Sequence, residues 1–377
     1  IADIVPTPTA QYIVSKNNLV GAIVFTASHN PSNWNGMKFI DSDGIFINQK
    51  TLDLLENEMS KQNEVISINN NHDLHYENKS SESIDLHINS IHQLSVINSK
   101  VIKDKKIKVV VDCVNGAASK ALPELLESFN CNVKKIHCDY NENFGRSPEP
   151  IPDNLKDLSS AVINNHADIG FATDPDGDRL SIVDNFGIPL GEELTLSLSV
   201  YYLLKYHQEF REYPVVTNLS TSLLSEKISK LYNTPFIRTP VGEINVVKEM
   251  QKTNSLIGGE GNGGIILKES HLGRDSLVGA AIILNLLCNE NKNINQISNN
   301  LPKYHIVKSS IKLKEINFEL FDKIKSHFSD EKIEETDGLK ILWENEWIHI
   351  RKSNTEPILR IISEAQTVDI ANKLVNK

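Results

Sequence analysis

An apolar run, Ile107-Lys108-Val109-Val110-Val111-Asp112, precedes the turn Asn115-Gly116, a helical stretch over 120–129 and a second strand-like run over 132–137. Strand, helix, strand in this order is a βαβ unit, and it commits this part of the chain to a parallel sheet. A helix over 154–165 and a strand over 167–172 follow. That strand delivers Thr173-Asp174-Pro175-Asp176-Gly177-Asp178-Arg179 at its carboxyl end, the end at which open α/β sheets hold ligands.

Asp174, Asp176 and Asp178 occupy alternate positions, with Pro175 and Gly177 bending the chain between them. Three carboxylates so placed converge on one hard cation. Mg²⁺ takes such oxygen ligands and completes its shell with phosphate or water. An EF-hand fails here, because Arg179 stands where its glycine is required and Asn185 where its bidentate glutamate is required.

The same α/β character extends to both sides. Residues 1–83 form a first unit, with a helix over 9–17 and a strand over 20–25. The strand opens into Thr26-Ala27-Ser28-His29-Asn30-Pro31, and Asn35-Gly36-Met37-Lys38 follows. The loop presents the hydroxyl of Ser28, which can carry a phosphoryl group. A hairpin is expected between 38–40 and 44–47, and a helix over 51–61 capped by Thr51. The Asn-, Ser- and His-rich stretch 69–83 reads as a linker.

Residues 84–187 hold the βαβ unit, entered by one helix over 84–100. Residues 188–301 form a third unit, with helices over 192–205, 222–231 and 277–288 and strands over 214–218 and 236–238. It contains Gly258-Gly259-Glu260-Gly261-Asn262-Gly263-Gly264. From Gly259 this matches G-x-G-x-x-G, but a strand-like Ile265-Ile266-Leu267 follows where a dinucleotide site needs a helix. A sharp loop between two strands is the reading adopted, with Glu260 and Asn262 directed at sugar hydroxyls. Asp275 or Ser276 caps the apolar helix that follows.

Residues 302–377 change character to α+β with an antiparallel sheet. Arg351-Lys352-Ser353-Asn354-Thr355-Glu356-Pro357 lies between two strands. A guanidinium, two hydroxyls, an amide and turn N–H groups make a phosphate nest.

Composition limits the partners. Net charge is −10, against the basic footprint of nucleic-acid binding. No apolar run reaches the ~20 residues of a membrane span. The four cysteines have no C-x-x-C spacing and read as reduced thiols of a cytoplasmic protein.

Taken together, the four loops in this order resemble the α-D-phosphohexomutase superfamily, which contains the phosphoglucomutases, phosphomannomutases and phosphoglucosamine mutases. The resemblance implies three similar α/β domains with mixed sheets and a C-terminal α+β domain around a central cleft. It also implies Ser28 as a phosphoserine that joins Asp174, Asp176 and Asp178 on Mg²⁺. Lys38 matches the family's general acid/base, His29 and Arg179 stand beside the reacting phosphate, and Glu260 matches the sugar-contacting glutamate. Arg351, Ser353, Asn354 and Thr355 match the loop that grips the phosphate not being transferred. The implied reaction interconverts hexose 6- and 1-phosphates through a hexose 1,6-bisphosphate, with glucosamine phosphate as the favoured substrate, mannose or glucose phosphate as the alternative, and a non-catalytic sugar-phosphate-binding relative as the reading from another class. The implied protein is a monomer or homodimer whose partner is a small hexose phosphate.

Three departures qualify the match. The family's N-terminal Ser-Gly-x-Arg-Gly is absent, so a truncated start is expected. Asn262 stands where many members have Ser. Gly264 stands where some have a His base, leaving His271 as a substitute candidate.

Overall fold

The structure is a computed structural model that describes residues 1–30, 33–61, 77–141, 143–312, 318–353 and 357–376. Expectations placed on Pro31, Asn354 and Thr355, and most of the 69–83 linker, lie outside the described residues.

The first unit runs α1 (Thr7–Lys16), β1 (Gly21–Phe25), β2 (Met37–Asp41), α2 (Gln49–Lys61). Pro8 sits in the first turn of α1, where its missing N–H costs nothing. β1 and β2 pair antiparallel, from Gly21 opposite Asp41 to Phe25 opposite Met37, so the serine loop is their connection. The hairpin expected between β2 and residues 44–47 is present as a short turn on the other edge of β2, with the bridge Ile40 to Phe46 and bonds from Asp41 N to Ile45 O at 2.7 Å and from Ile47 N to Phe39 O at 3.0 Å. The cap of α2 is Asn48, whose Oδ1 accepts from Thr51 N at 3.1 Å. Thr51 itself lies inside the helix.

In the second unit come α3 (Ser80–Gln93), α4 (Ser99–Lys105), β3 (Lys108–Asp112), α5 (Ala118–Ser128), β4 (Asn132–Ile136), α6 (Lys156–Asn164), β5 (Ile169–Thr173) and β6 (Leu180–Val183). The single helix expected over 84–100 is two helices. Leu94 turns extended, with ψ 133°, and Asn98 starts α4 by accepting from Val101 N. The sheet order is β4-β3-β5-β6. Its first three strands are parallel and β6 runs antiparallel to β5.

The third unit repeats this winding with α7 (Glu192–Tyr206), β7 (Val215–Asn218), α8 (Leu223–Leu231), β8 (Phe236–Thr239), α9 (Glu243–Thr253), β9 (Ile257–Glu260) and β10 (Gly264–Leu267), then α10 (Ser276–Glu290) and α11 (Ile294–Asn299). Its order is β8-β7-β9-β10, again with only the last strand antiparallel. Both sheets therefore place their loop of interest between the third strand and an antiparallel fourth. The serine loop joins an antiparallel pair in the same way. Helix α10 is apolar on every face from Leu277 to Leu287, which requires burial all round, and it lies in the main core with α7.

The last unit is β11 (His305–Lys312), α12 (Phe318–His327), β12 (Lys332–Glu334), β13 (Leu339–Leu342), β14 (Trp347–Lys352), β15 (Ile358–Ala365) and α13 (Val368–Val375). Its antiparallel sheet has the order β11-β15-β14-β13-β12. It docks on the third unit through Glu364. This buried carboxylate accepts from Trp347 Nε1 of its own unit and from Ser222 Oγ and Leu223 N at the start of α8, where a negative charge suits the helix N–H groups.

Candidate active site

β5 is buried at every position, so the loop that leaves it starts from a fixed point. Gly177, at φ +71°, takes a left-handed turn that a residue with a Cβ resists. That turn brings the Asp174, Asp176 and Asp178 carboxylates within 4.8 Å of one another, all three buried. Asp176 Oδ1 and Asp178 Oδ1 have no hydrogen-bond partner among the described residues. Burial and the neighbouring charges of Asp178 and Asp176 push the Asp174 carboxyl well above its usual range. Orphaned carboxylate oxygens and mutual repulsion are what a dication relieves, so these residues fit Mg²⁺.

Ser28 stands at this triad. Its Oγ lies 3.3 Å from Asp174 Oδ2 and 3.4 Å from His29 Nδ1. The residue is held at φ +50°, with its N–H donated to Thr26 Oγ1 at 2.9 Å. Positive φ is uncommon for serine and aims the side chain out of the strand direction. Arg179 donates from Nη2 to His29 Nδ1 at 2.9 Å, so the ring accepts on that nitrogen. Burial, and then the Arg179 charge, lower His29 to about 4, and the ring is neutral near pH 7.

Lys38, on β2, reaches across to Asp176 Oδ2 at 2.5 Å and Asp178 Oδ2 at 3.4 Å. Burial works against its charge, but the two carboxylates outweigh burial and hold its pKa above the usual lysine range. Thr7 adds a hydroxyl to Asp176 Oδ2 at 2.9 Å.

The glycine loop approaches from the other side. Both Glu260 oxygens are taken by protein donors: Oε1 by Asn218 Nδ2 at 2.7 Å and Gly242 N at 3.1 Å, Oε2 by Arg274 Nη1 at 2.9 Å and Asn262 Nδ2 at 3.4 Å. Arg274 also donates from Nη2 to Asp178 Oδ2 and from Nε to Glu243 Oε2, each at 2.7 Å. His271 lies apart from this contact set. It joins His87 on Asp275 Oδ2, at 3.1 and 3.0 Å, while Asp275 Oδ1 caps α10.

In the last unit, Arg351 Nε donates to Asp337 Oδ2 at 3.0 Å, and Val241 N donates to the same oxygen at 3.0 Å. Ser353 N donates to Ile358 O at 3.0 Å and closes the base of its loop.

Ser28, His29, Lys38, Arg179 and the three aspartates thus form one contact set. Glu260 and Asn262 join it through Arg274, and Arg351 reaches the sugar-loop side through Asp337 and Val241. Sequence reasoning missed Arg274 and Thr7. The one signal for Arg274 was the bare position 264: a Cβ there would lie 2.2 Å from Arg274 Cδ.

Two similarly wound units, a first unit that carries the serine loop on an antiparallel pair, and one antiparallel unit, gathered on an aspartate triad beside a serine hydroxyl, have the architecture of the phosphohexomutases. Comparison with known proteins agrees along the chain. Family models for phosphoglucomutase/phosphomannomutase match in order: alpha/beta/alpha domain I over residues 1–65, domain II over 85–187, domain III over 192–304 and the C-terminal domain over 315–377. The phosphoglucosamine/phosphogalactosamine mutase of Sulfurisphaera tokodaii is 32% identical over 99% of this chain and 82% of its own length. The phosphoglucomutase/phosphomannomutase of Thermococcus kodakarensis is 31% identical over 98% and 80%. A solved phosphoglucomutase/phosphomannomutase family protein from Burkholderia thailandensis superposes with a TM-score of 0.79 at 21% identity, over 99% of this chain and 80% of its own, which speaks for the fold. The chain belongs to the phosphoglucomutase/phosphomannomutase family and is a phosphohexose mutase, an intramolecular phosphotransferase.

Proposed function

We propose that this mutase works on hexosamine phosphates, with Ser28 as the residue that carries the transferred phosphoryl group. The observation that carries the Ser28 assignment is its hydroxyl 3.3 Å from Asp174 Oδ2, beside two carboxylate oxygens without partners. Asp174, Asp176, Asp178 and the Ser28 oxygen would hold Mg²⁺, which when bound neutralises phosphoryl oxygens.

In the forward half-reaction the bond from Ser28 Oγ to phosphorus breaks, and a bond from phosphorus to a sugar hydroxyl oxygen forms. The sugar hydroxyl gives up its proton and Ser28 Oγ gains one. Lys38 Nζ, held protonated by Asp176 and Asp178, is the group assigned to give its proton to Ser28 Oγ and to regain one from the sugar hydroxyl. Arg179 and neutral His29 orient the serine side chain. The resulting 1,6-bisphosphate turns end for end, and its other phosphate returns to Ser28 by the same exchange. Positioning and electrostatic stabilisation account for most of the rate in such transfers. Glu260 and Asn262 are the groups assigned to the sugar, Glu260 by exchanging protein donors for sugar hydroxyls, and Arg351 with Ser353, Asn354 and Thr355 the groups assigned to the distal phosphate.

Two features support an amino sugar. The loop is acidic, with Glu243 and Glu260 sharing the single Arg274 guanidinium, and the Sulfurisphaera relative bears a hexosamine name. The test is turnover by the full chain with Mg²⁺ and a 1,6-bisphosphate primer, on glucosamine, mannose and glucose phosphates. A higher kcat/KM for glucosamine phosphate is expected. Preference for glucose or mannose phosphate overturns the substrate assignment, and no interconversion with any of the three overturns the mutase reading.

A further inference from the structure

Arg274 has no role in the scheme above, yet its surroundings are built for it. Its guanidinium is buried and divides three N–H groups among three carboxylates from three separate elements: Asp178 of the metal loop, Glu260 at the end of β9 and Glu243 at the start of α9. A planar fork makes this three-way contact, which a lysine ammonium on a shorter stem does not reproduce.

Two further observations are independent of that ion cluster. The stem of Arg274 fills the space where a side chain at 264 would stand, since a Cβ on Gly264 would meet Cδ at 2.2 Å and Cγ at 2.8 Å. The last glycine of the sugar loop is therefore shaped by Arg274. The residue after Arg274 is also clamped. Asp275 N donates to Ile265 O at 2.9 Å. Its Oδ1 accepts from Leu277 N and Val278 N, and its Oδ2 accepts from His87 and His271. Thr9 Oγ1 in turn holds His87 Nδ1 at 2.9 Å. With four donors on one carboxylate, His87, Asp275 and His271 form a hydrogen-bonded anchor, in which His271 Nδ1 is buried without a hydrogen-bond partner among the described residues. The anchor fixes the backbone from which Arg274 projects.

We propose that Arg274 is a positioning residue that couples the metal loop to the sugar loop, holding Asp178 in its ligating orientation and Glu260 in its sugar-facing one. The assignment rests on the aspartate triad holding Mg²⁺. Outer partners of metal ligands carry about 10- to 100-fold of metal affinity or activity, and that is the size of effect expected.

The test uses the full chain and three variants, Arg274→Gln, Arg274→Lys and Gly264→Ala, the last of which displaces the Arg274 stem and leaves the arginine in place. Calorimetric titration with Mg²⁺ alone, titration with glucosamine 6-phosphate with and without Mg²⁺, and thermal melting are read beside turnover. We expect Mg²⁺ affinity about tenfold weaker or worse in all three variants. We also expect the wild type to bind Mg²⁺ and sugar phosphate with mutual tightening and the variants to lose it, since coupling between sites is reciprocal. If Arg274→Gln fails to fold, Arg274→Lys and Gly264→Ala decide. Wild-type Mg²⁺ affinity and coupling in the folded variants, with only melting temperature changed, overturns the proposal and leaves Arg274 structural. A wild type whose Mg²⁺ affinity depends on Arg274 but which turns over no hexose phosphate leaves the positioning role standing and removes the functional reading instead.

Discussion

The inner two units and the outer two are built differently. β5, β6, β7, β9 and β10 are buried at every position, and their connections hold the aspartates and Glu260. The first unit has only the pair β1–β2 among the described residues. Its Phe25 is 72% exposed and Ile23 53%, beside a cavity of about 740 Å³ that reaches Ser28, Trp34 and Asp176. In the last unit β11 is largely exposed. The groups that make a fixed frame, the metal triad and Arg274, thus come from the deepest scaffold. Of the groups assigned to exchange or grip phosphate, Ser28 comes from the shallow first unit, whereas Arg351 stands at the end of the buried strand β14. A two-stranded ribbon is marginal alone, so the serine loop depends on Lys38, Thr7 and Asp174 reaching between units.

The sharpest break is chemical. Asp176→Ala removes an inner-unit ligand candidate and the partner of Lys38, and turnover should fall ~10³-fold or more while far-ultraviolet circular dichroism stays native. Retained turnover would dissolve the frame. Next, Phe171→Ala, at a fully buried position of β5, should cost ~3–5 kcal/mol in denaturant unfolding. Phe25→Ala on β1 should cost within ~0.5 kcal/mol. Equal costs would erase the distinction between inner and outer units.

Much of that distinction was legible beforehand. The strands of the second and third units are continuous apolar runs closed by glycine and proline, and three carboxylates at alternate positions have few other uses. Four loops in order then carried the family. What escaped were features set by distance in the chain. Arg274 takes its meaning from partners at 178, 243 and 260, and no local pattern joins them. Thr7 lies 169 positions from the aspartate it bonds. Helix α9, polar on average, was passed over although Ile244, Val247 and Met250 mark one face. The break at Leu94 was hidden because apolar residues, Ile91, Leu94, Val96 and Ile97, continue across it.

The seam between the third and last units gives a smaller, pH-dependent test. His349 Nε2 donates to Asp337 O at 2.6 Å, and its Nδ1 accepts from Ser220 Oγ at 2.9 Å. Burial, against the pull of the Asp337 contact, lowers it from 6.5 to about 4. The unfolded chain therefore binds this proton first. The stability that neutral His349 provides is complete above pH 6.5 and declines as pH falls towards 4, by up to ~3 kcal/mol. His349→Gln should flatten that part of the stability–pH curve relative to wild type. An unchanged slope would remove His349 from the seam's pH response.

Smallest is Lys340, fully buried on β13. Its Nζ donates to Leu219 O and lies 4.0 Å from the Trp347 ring centre. Burial and then the Arg238 charge push its pKa well down. A buried amine whose charge is disfavoured in this way adds little net stability, so Lys340→Met should change unfolding free energy by less than ~1 kcal/mol in either direction, measured as a melting shift. A large loss would mean that the outer unit depends on this contact as the inner ones depend on their cores.

The most direct measurement is the fate of one phosphate. The full chain is incubated with Mg²⁺ and a hexose 1,6-bisphosphate, then analysed by intact mass and peptide mapping before and after addition of hexose monophosphate. The account predicts a single phosphate on the peptide bearing Ser28, discharged by the monophosphate and absent in Ser28→Ala, which has no turnover. Phosphate on another residue, or turnover that survives Ser28→Ala, would contradict it.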